Sequence, residues 1–419
     1  TALQNFNACI NMGNYDSKTR NESYFWKGEI AYREGDYKTA ASNYQTYISG
    51  ASTSDTNYGL GLYNLGYSYF NLKNNNSALT NFQKYVSQER NKKAPTYADA
   101  LNRIGDNYLY NRNYSEAERY YAQAVTADPQ GADYAEFQKA FVMGLRRNYN
   151  GKISSLDDMM RKYPQSTYYD DALYEKSRAL VMLNKERDAI NVLEKLIKEY
   201  PQSPLNQQAG VQLGQLYFNT NNLDKSIQAY KRVISTYPKS EESSIAIKSL
   251  ETVYKEKNDI QSYASYVNSL GVGTVITASR QDSLSFLAAE NIYMKGQKTN
   301  SKNAMRNYLQ SYPNGAFSPD AHYFLGYMAF EEKDMNTALN EFSYVINSGN
   351  RKYRDDALIY TSGIQFDKKD YEGAYKSYSM LNNSATTADN RNIAQRGMLR
   401  TASLLHKYSD VVSAATALL

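Results

Sequence analysis

The chain repeats itself, and that limits its possible folds more than any other property. The segments YFWKGEIAYREGDYKTAASNYQTYI (24–48), LYNLGYSYFNLKNNNSALTNFQKYV (62–86), LNRIGDNYLYNRNYSEAERYYAQAV (101–125), VQLGQLYFNTNNLDKSIQAYKRVI (211–234) and YFLGYMAFEEKDMNTALNEFSYVI (323–346) share one layout. A small residue is followed by an aromatic, a polar turn, then Ala or Ser with another aromatic four residues on. This spacing predicts two short helices joined by a turn. Repeat starts fall near residues 21, 59, 98, 133, 170, 207, 244, 282, 319, 355 and 392, a mean spacing of about 37 residues. One such unit cannot bury its apolar face alone, so neighbours must stack and share a core. KYPQS (162–166), EYPQS (199–203), TYPKS (236–240) and SYPNG (311–315) each mark a helix end, because proline lacks a donor and forces the preceding residue out of the helix.

Leu-Gly-x-x-Tyr in LGQLY (213–217) and Gly-Asp-Tyr-x-x-Ala in GDYKTA (35–40) are family-like motifs, and residues 98–131 place Gly105, Tyr108, Tyr114, Ala117, Tyr121, Ala124 and Pro129 in one repeat. On these residues the chain resembles the tetratricopeptide repeat family. The resemblance implies an all-α, right-handed superhelical solenoid of about eleven helix-turn-helix repeats. Residues 1–20 read as the second helix of a truncated preceding repeat, 21–270 as repeats one to seven, 271–281 as an irregular link and 282–419 as repeats eight to eleven. The unpaired first helix and the lack of a polar cap at SDVVSAATALL suggest a fragment of a longer protein. Two stretches depart from the pattern: 133–169, with Ala140 and Met143 where the family favours Gly and Tyr, and NSLGVGTVITASRQD (268–282), which lacks Tyr-Pro. In Ser318-Pro319-Asp320, Ser is expected to cap, Pro to open the first turn and Asp to favour the positive helix end.

The Tyr-Pro-x-Ser links and the segment DSLSFLAAENIYMKG (282–296) are similar to those of bacterial envelope repeat proteins, in particular long multi-repeat proteins of Bacteroidetes-type bacteria. That resemblance implies a periplasmic or outer-membrane-associated location.

Composition narrows the chemistry. Lys+Arg 48 against Asp+Glu 43 gives a net charge of +5 over 419 residues, which points to neither nucleic acid nor anionic membrane as the main partner. A single cysteine, Cys9, excludes an intramolecular disulfide framework, and two distant histidines, His322 and His406, do not form a metal-ligand pattern. No stretch is apolar enough to span a membrane. GLGLYNLG (59–66) and GVGTV (271–275) lack a phosphate-loop spacing. Neither histidine has a sequence-evident nucleophile or orienting carboxylate, so no catalytic residue, cofactor or metal is assigned and no enzyme activity is expected.

The remaining signal is tyrosine, 42 residues, a tenth of the chain. Tyr37, Tyr114 and Tyr371 fall at the turn into second helices, and Tyr44, Tyr121, Tyr230 and Tyr378 at their core position, opposite Gly28, Gly66, Gly105, Gly214 and Gly326 of first helices and beside small residues such as Ala40 and Ala117. In the family, first-helix positions 2, 5, 9, 12 and 13 line the concave surface. By the resemblance that surface carries Phe25, Tyr32, Tyr63, Tyr67, Phe70, Tyr110, Tyr174, Phe218, Phe286, Tyr293, Tyr323, Tyr327, Phe330 and Phe366, with Glu29, Asp106 and Glu290 among an excess of acids. Tyrosine supplies rigid apolar area with a hydroxyl at low entropy cost, which suits protein recognition. The expected function is a scaffold binding basic or aromatic-rich protein segments in envelope assembly. A structural spacer, a homo-oligomerising arm or a regulatory region of a larger protein are the alternatives.

Overall fold

The structure, a computed structural model, describes residues 2–12, 16–271 and 275–418, so part of the irregular link lies outside the described residues. Helix α1 (Ala2–Asn11) precedes eleven helix pairs among the described residues. The pairs are α2 (Ser17–Arg33) with α3 (Tyr37–Gly50), α4 (Tyr58–Asn71) with α5 (Asn75–Gln88), α6 (Pro95–Tyr110) with α7 (Tyr114–Ala127), and α8 (Asp133–Leu145) with α9 (Tyr149–Lys162). There follow α10 (Tyr169–Met182) with α11 (Glu186–Glu199), α12 (Asn206–Asn219) with α13 (Leu223–Thr236), and α14 (Glu241–Lys257) with α15 (Ile260–Ser269). The last four are α16 (Ala278–Met294) with α17 (Lys298–Ser311), α18 (Ser318–Glu331) with α19 (Met335–Asn347), α20 (Arg354–Asp367) with α21 (Tyr371–Ser384), and α22 (Ala388–Leu404) with α23 (Tyr408–Leu418). The chain forms two compact units, Thr1–Leu216 and Tyr217–Leu419. In the first, each helix from α1 to α11 packs on the next; in the second, the same holds from α13 to α23, and α14 also reaches α16.

Every pair turns in the same way. The residue two before each second helix has a positive φ: Gly35, Lys73, Arg112, Arg147, Asn184, Asn221, Asn258, Gly296, Lys333, Lys369 and His406. The next residue's N–H returns to a carbonyl five residues back, as in Asp36 to Ala31 and Asn113 to Tyr108, which closes the helix end. Where that next residue is Asp or Asn it caps the second helix, except at Asn222, whose side chain bonds Thr220 instead. Asp36, Asn74, Asn113, Asn148, Asp259, Asp334 and Asp370 accept from the N–H three residues on.

The close approach expected between small residues and rings is present. A methyl built on Gly28, Gly66, Gly105 or Gly326 would lie 2.7–2.8 Å from the ring of Tyr44, Phe82, Tyr121 or Phe342. Each of those rings is at most 1% exposed, and burying one is worth about 1.5–3 kcal/mol. Where the first helix instead carries Ala140, Ser177 or Ala289, the second carries Leu156, Leu193 or Met305 at the corresponding position, all 0% exposed. A smaller partner thus accompanies the added Cβ.

Two pairs place a charged side chain at a position that other pairs give to a small residue. In α9, Lys152 stands where Ala40, Ala78 and Ala117 stand in other second helices; it lies over Gly144 and forms a buried ion pair with Glu175 of α10. Lys152 is thus a further departure of 133–169 from the repeat pattern. In α14, Glu251 takes the first-helix position, bonds Arg280 at 2.7 Å and receives the Tyr263 hydroxyl, which burial and then Glu251 push up to about 12.

The Tyr-Pro links end helices as expected. Tyr163, Tyr200, Tyr237 and Tyr312 share φ between −133° and −122° and ψ between 57° and 66°, with their own N–H still bonded four residues back. One expectation is corrected at the fourth link. Ser318 does not cap: it is the first residue of α18, wholly buried, and its hydroxyl donates to the Tyr312 carbonyl at 2.7 Å. Asp320 is likewise buried, in an ion pair with Lys352.

Candidate recognition face

The first helices carry the candidate residues, and the structure sorts them into three kinds. Phe25 and Phe286 are core residues, each 1% exposed, and are corrected from surface to interior. Phe25 packs edge-on against Tyr44, and Phe286 stacks on Phe317 at 5.0 Å. The fifth position of a first helix faces its own second helix in these two repeats, so an apolar ring there is drawn into the core.

A second group is committed to bonds within the chain. The Tyr44 hydroxyl donates to Glu29 at 2.6 Å, and the Asn64 amide of the next repeat donates to the same carboxylate. Asp106 receives Tyr121 at 2.7 Å and Tyr134 at 2.7 Å and pairs with Arg103 at 2.5 Å. Asp99 receives Tyr63 at 2.8 Å and also Tyr67. Burial, followed by these carboxylates, holds Tyr44, Tyr63, Tyr67, Tyr121 and Tyr134 well above the ordinary phenol range. Glu29 and Asp106, expected as free surface acids, are acceptors for buried or half-buried phenols and tie adjacent helices together. Tyr32 is also engaged, by Asn71 at 3.3 Å and by an edge contact with Tyr37.

The third group is exposed. Tyr110, at the end of α6, is 74% exposed. It borders a cleft of about 280 Å³ with Phe70, Lys73, Leu79, Arg103 and Asp106. Leu145 and Met182 occupy the same place at the ends of α8 and α10 and are 42% and 59% exposed. Both border a second cleft of about 380 Å³ with Phe141, Tyr149 and Arg178. Tyr110 is expected from the sequence and Leu145 and Met182 are not, although repeat register aligns all three, because an aliphatic side chain carries no signal that separates surface from core. Tyr174 and Phe218 are half-buried.

In the second unit the candidates form a continuous aromatic track. Tyr293 of α16 lies 4.7 Å from Phe324, and Tyr323 of α18 stacks on Tyr353 at 4.1 Å with the rings 4° apart. Tyr327 and Phe330 both contact Tyr360 of α20, at 5.7 and 4.9 Å. Tyr293, Tyr323, Tyr327, Phe330 and Glu290 are all half-buried, and Met294, beside Tyr293, is 76% exposed. Phe366 lies under the Arg400 guanidinium at 4.4 Å. A contact unseen in the sequence is here too: His322 Nδ1 is 2.5 Å from Glu341 and its ring stacks on Tyr344.

Among the described residues no helix is long and apolar enough to cross a membrane, and no group of three or more His, Cys, Asp or Glu is arranged to hold a metal ion.

Comparison with known proteins gives matches by parts. Tetratricopeptide repeat models match residues 61–91 and 98–130, and the outer membrane lipoprotein model YfiO matches residues 169–329. No curated protein matches the chain. Among solved structures it is similar to MamA, at 16% identity over 43% of this chain and 92% of that one, with a TM-score of 0.38. It is also similar to YrrB, described as a TPR protein with an unusual peptide-binding site, at 17% identity over 48% and 96%, TM-score 0.40. PilW, described as a type IV pilus biogenesis factor, matches at 18% identity over 56% and 97%, TM-score 0.41.

Proposed function

The chain carries tetratricopeptide repeats, and from that premise we propose that it is a non-enzymatic scaffold whose first-helix face holds segments of partner proteins during assembly of the bacterial envelope. The observation that carries this reading is the row Tyr110, Leu145 and Met182. Three successive repeats leave a large apolar side chain exposed at one position, each beside or near a cleft. Exposed apolar residues that line up in this way mark interaction surfaces. The envelope part of the reading is supported by the outer membrane lipoprotein match over residues 169–329.

Site-specific photocrosslinking tests the face. A photoreactive residue at Met182 is expected to crosslink a partner in cells, while one at Arg187, exposed on the second helix α11, is not. Equal labelling from both positions would count against the reading.

A further inference from the structure

Gly363 lies in the interior of α20, and a methyl built there would meet nothing within 4 Å. Glycines such as Gly326 are different, because a neighbouring ring fills the space their missing side chain leaves. A helix-interior glycine weakens its helix relative to alanine, and no contact in the chain requires this one. Bare backbone at an open surface admits the main chain of another molecule at close range.

The surroundings give that molecule a character. Asp356, Tyr360, Gly363 and Asp367 follow one another at i, i+4, i+7 and i+11, a single stripe along α20. Tyr327 and Phe330 of α18 contact Tyr360 and flank the stripe on one side. Asp356 is half-buried, and among the described residues its carboxylate has no hydrogen-bond or ion-pair partner, whereas Asp355 beside it is bonded by Thr386 and Asn390. Burial and then Asp355 raise the pKa of Asp356, so its charge is held at a cost that a cation from outside would relieve. The chain also displays the matching contact within itself: the Arg400 guanidinium lies over Phe366, one turn from Gly363.

We propose that this stripe, with Tyr327 and Phe330, is a recognition groove for an extended basic peptide segment, whose main chain passes over Gly363 while an arginine or lysine lies against Asp356 and Tyr360. The proposal rests on the protein-binding reading above and names the partner chemistry for one part of the face.

The test is selection of a random dodecapeptide library displayed on phage against the full chain, then titration of the synthesised winners into wild type, Gly363→Ala and Asp356→Asn, with melting curves for each. The expected result is enrichment of Arg or Lys and weakening of about tenfold or more in each variant, with melting temperatures unchanged or raised. Winners without basic residues, winners that bind both variants as tightly as wild type, or a lower melting temperature for Gly363→Ala would overturn the groove. If winners instead depend on Tyr110, Leu145 and Met182, the groove fails and the scaffold reading stands. Failure to enrich any peptide overturns both.

Discussion

The phenol of Tyr121, wholly buried in α7, donates to the carboxylate of Asp106 on the partner helix α6 at 2.7 Å, and Tyr134 of the next repeat donates to the same carboxylate. One acid thus joins the two helices of a repeat and the repeat that follows. The same arrangement recurs at Glu29 with Tyr44 and Asn64, and at Asp282, which receives Tyr308 at 2.5 Å and the Ala316 N–H at 2.8 Å. The abundance of tyrosine follows in part from this construction. Its ring fills the space above a glycine and its hydroxyl donates to a half-buried acid of the first helix.

Replacing Tyr121 by Phe is expected to cost about 1.5–3 kcal/mol, the range for a hydrogen bond to a charged group. Chemical denaturation of Tyr121→Phe, Tyr134→Phe and the double variant checks whether the two phenols act through one acceptor, in which case their costs are not additive.

Glycines in the first helices separate into two classes with opposite predicted signs. Gly105→Ala pushes a methyl to 2.7 Å from the Tyr121 ring and should destabilise, as should Ala117→Leu, by about 1–3 kcal/mol for overpacking. Gly363→Ala should stabilise by about 0.8–1 kcal/mol, the helix-propensity difference. Thermal melts of the three variants decide the matter.

The turn residues give a third class. Arg112 holds a φ of 59°, a conformation that costs a residue with a side chain about 1–2 kcal/mol. Arg112→Gly is therefore expected to stabilise the chain by about 1 kcal/mol, less the larger freedom glycine has when unfolded. A loss of stability would show that the Arg112 side chain contributes more than its backbone costs.

Acid dependence follows from two neighbouring aspartates with opposite shifts. Burial pushes Asp355 up, but the Thr386 N–H and hydroxyl and the Asn390 amide outweigh it and leave the carboxyl below its ordinary value. Its contribution is present above the unfolded pKa and is lost as pH falls through the folded one. Thr386→Val should thus lower stability at neutral pH, with the gap to wild type closing in acid. Asp356 is raised, so its charge opposes folding; the associated stability is full below the unfolded pKa and lost as pH rises through the folded one. Asp356→Asn should be more stable than wild type at neutral pH and lose that advantage on acidification. Denaturation series from neutral to acidic pH measure both.

The buried pair Lys152 and Glu175 makes a further prediction. Removing one partner from a buried ion pair costs about 3–5 kcal/mol, whereas replacing both by apolar residues is often neutral. Because Arg178 also bonds Glu175 at 2.8 Å, Lys152→Met should fall toward the lower end, and Lys152→Met with Glu175→Leu should recover most of the loss.

The fold was legible in the sequence where one residue type is forced. Glycine opposite an aromatic ring, alanine at the tight helix contact and proline after tyrosine each have a single steric reason, so their recurrence revealed the helix pairs. The turn residues were not legible, because Lys73, Arg112 and Asn184 resemble any solvated residue and only the backbone reveals their shared conformation. The roles of the acids were hidden for another reason. Tyr63 meets Asp99 across 36 residues and Asn64 meets Glu29 across 35, so each of these acids has a partner in the adjacent repeat. An excess of acids on one face therefore read as free charge. Among the described residues Asp356 is one acid for which that reading still holds, and the exposed row was legible only through Tyr110.

The exposed row on the first helices is the proposed binding surface for partner proteins. Its most direct test is the affinity of a crosslinked partner, once identified, for wild type and for the triple variant Tyr110→Ser, Leu145→Ser, Met182→Ser. All three side chains are exposed, so melting should be little changed. The account predicts a loss of affinity of at least about tenfold; an unchanged dissociation constant would contradict it.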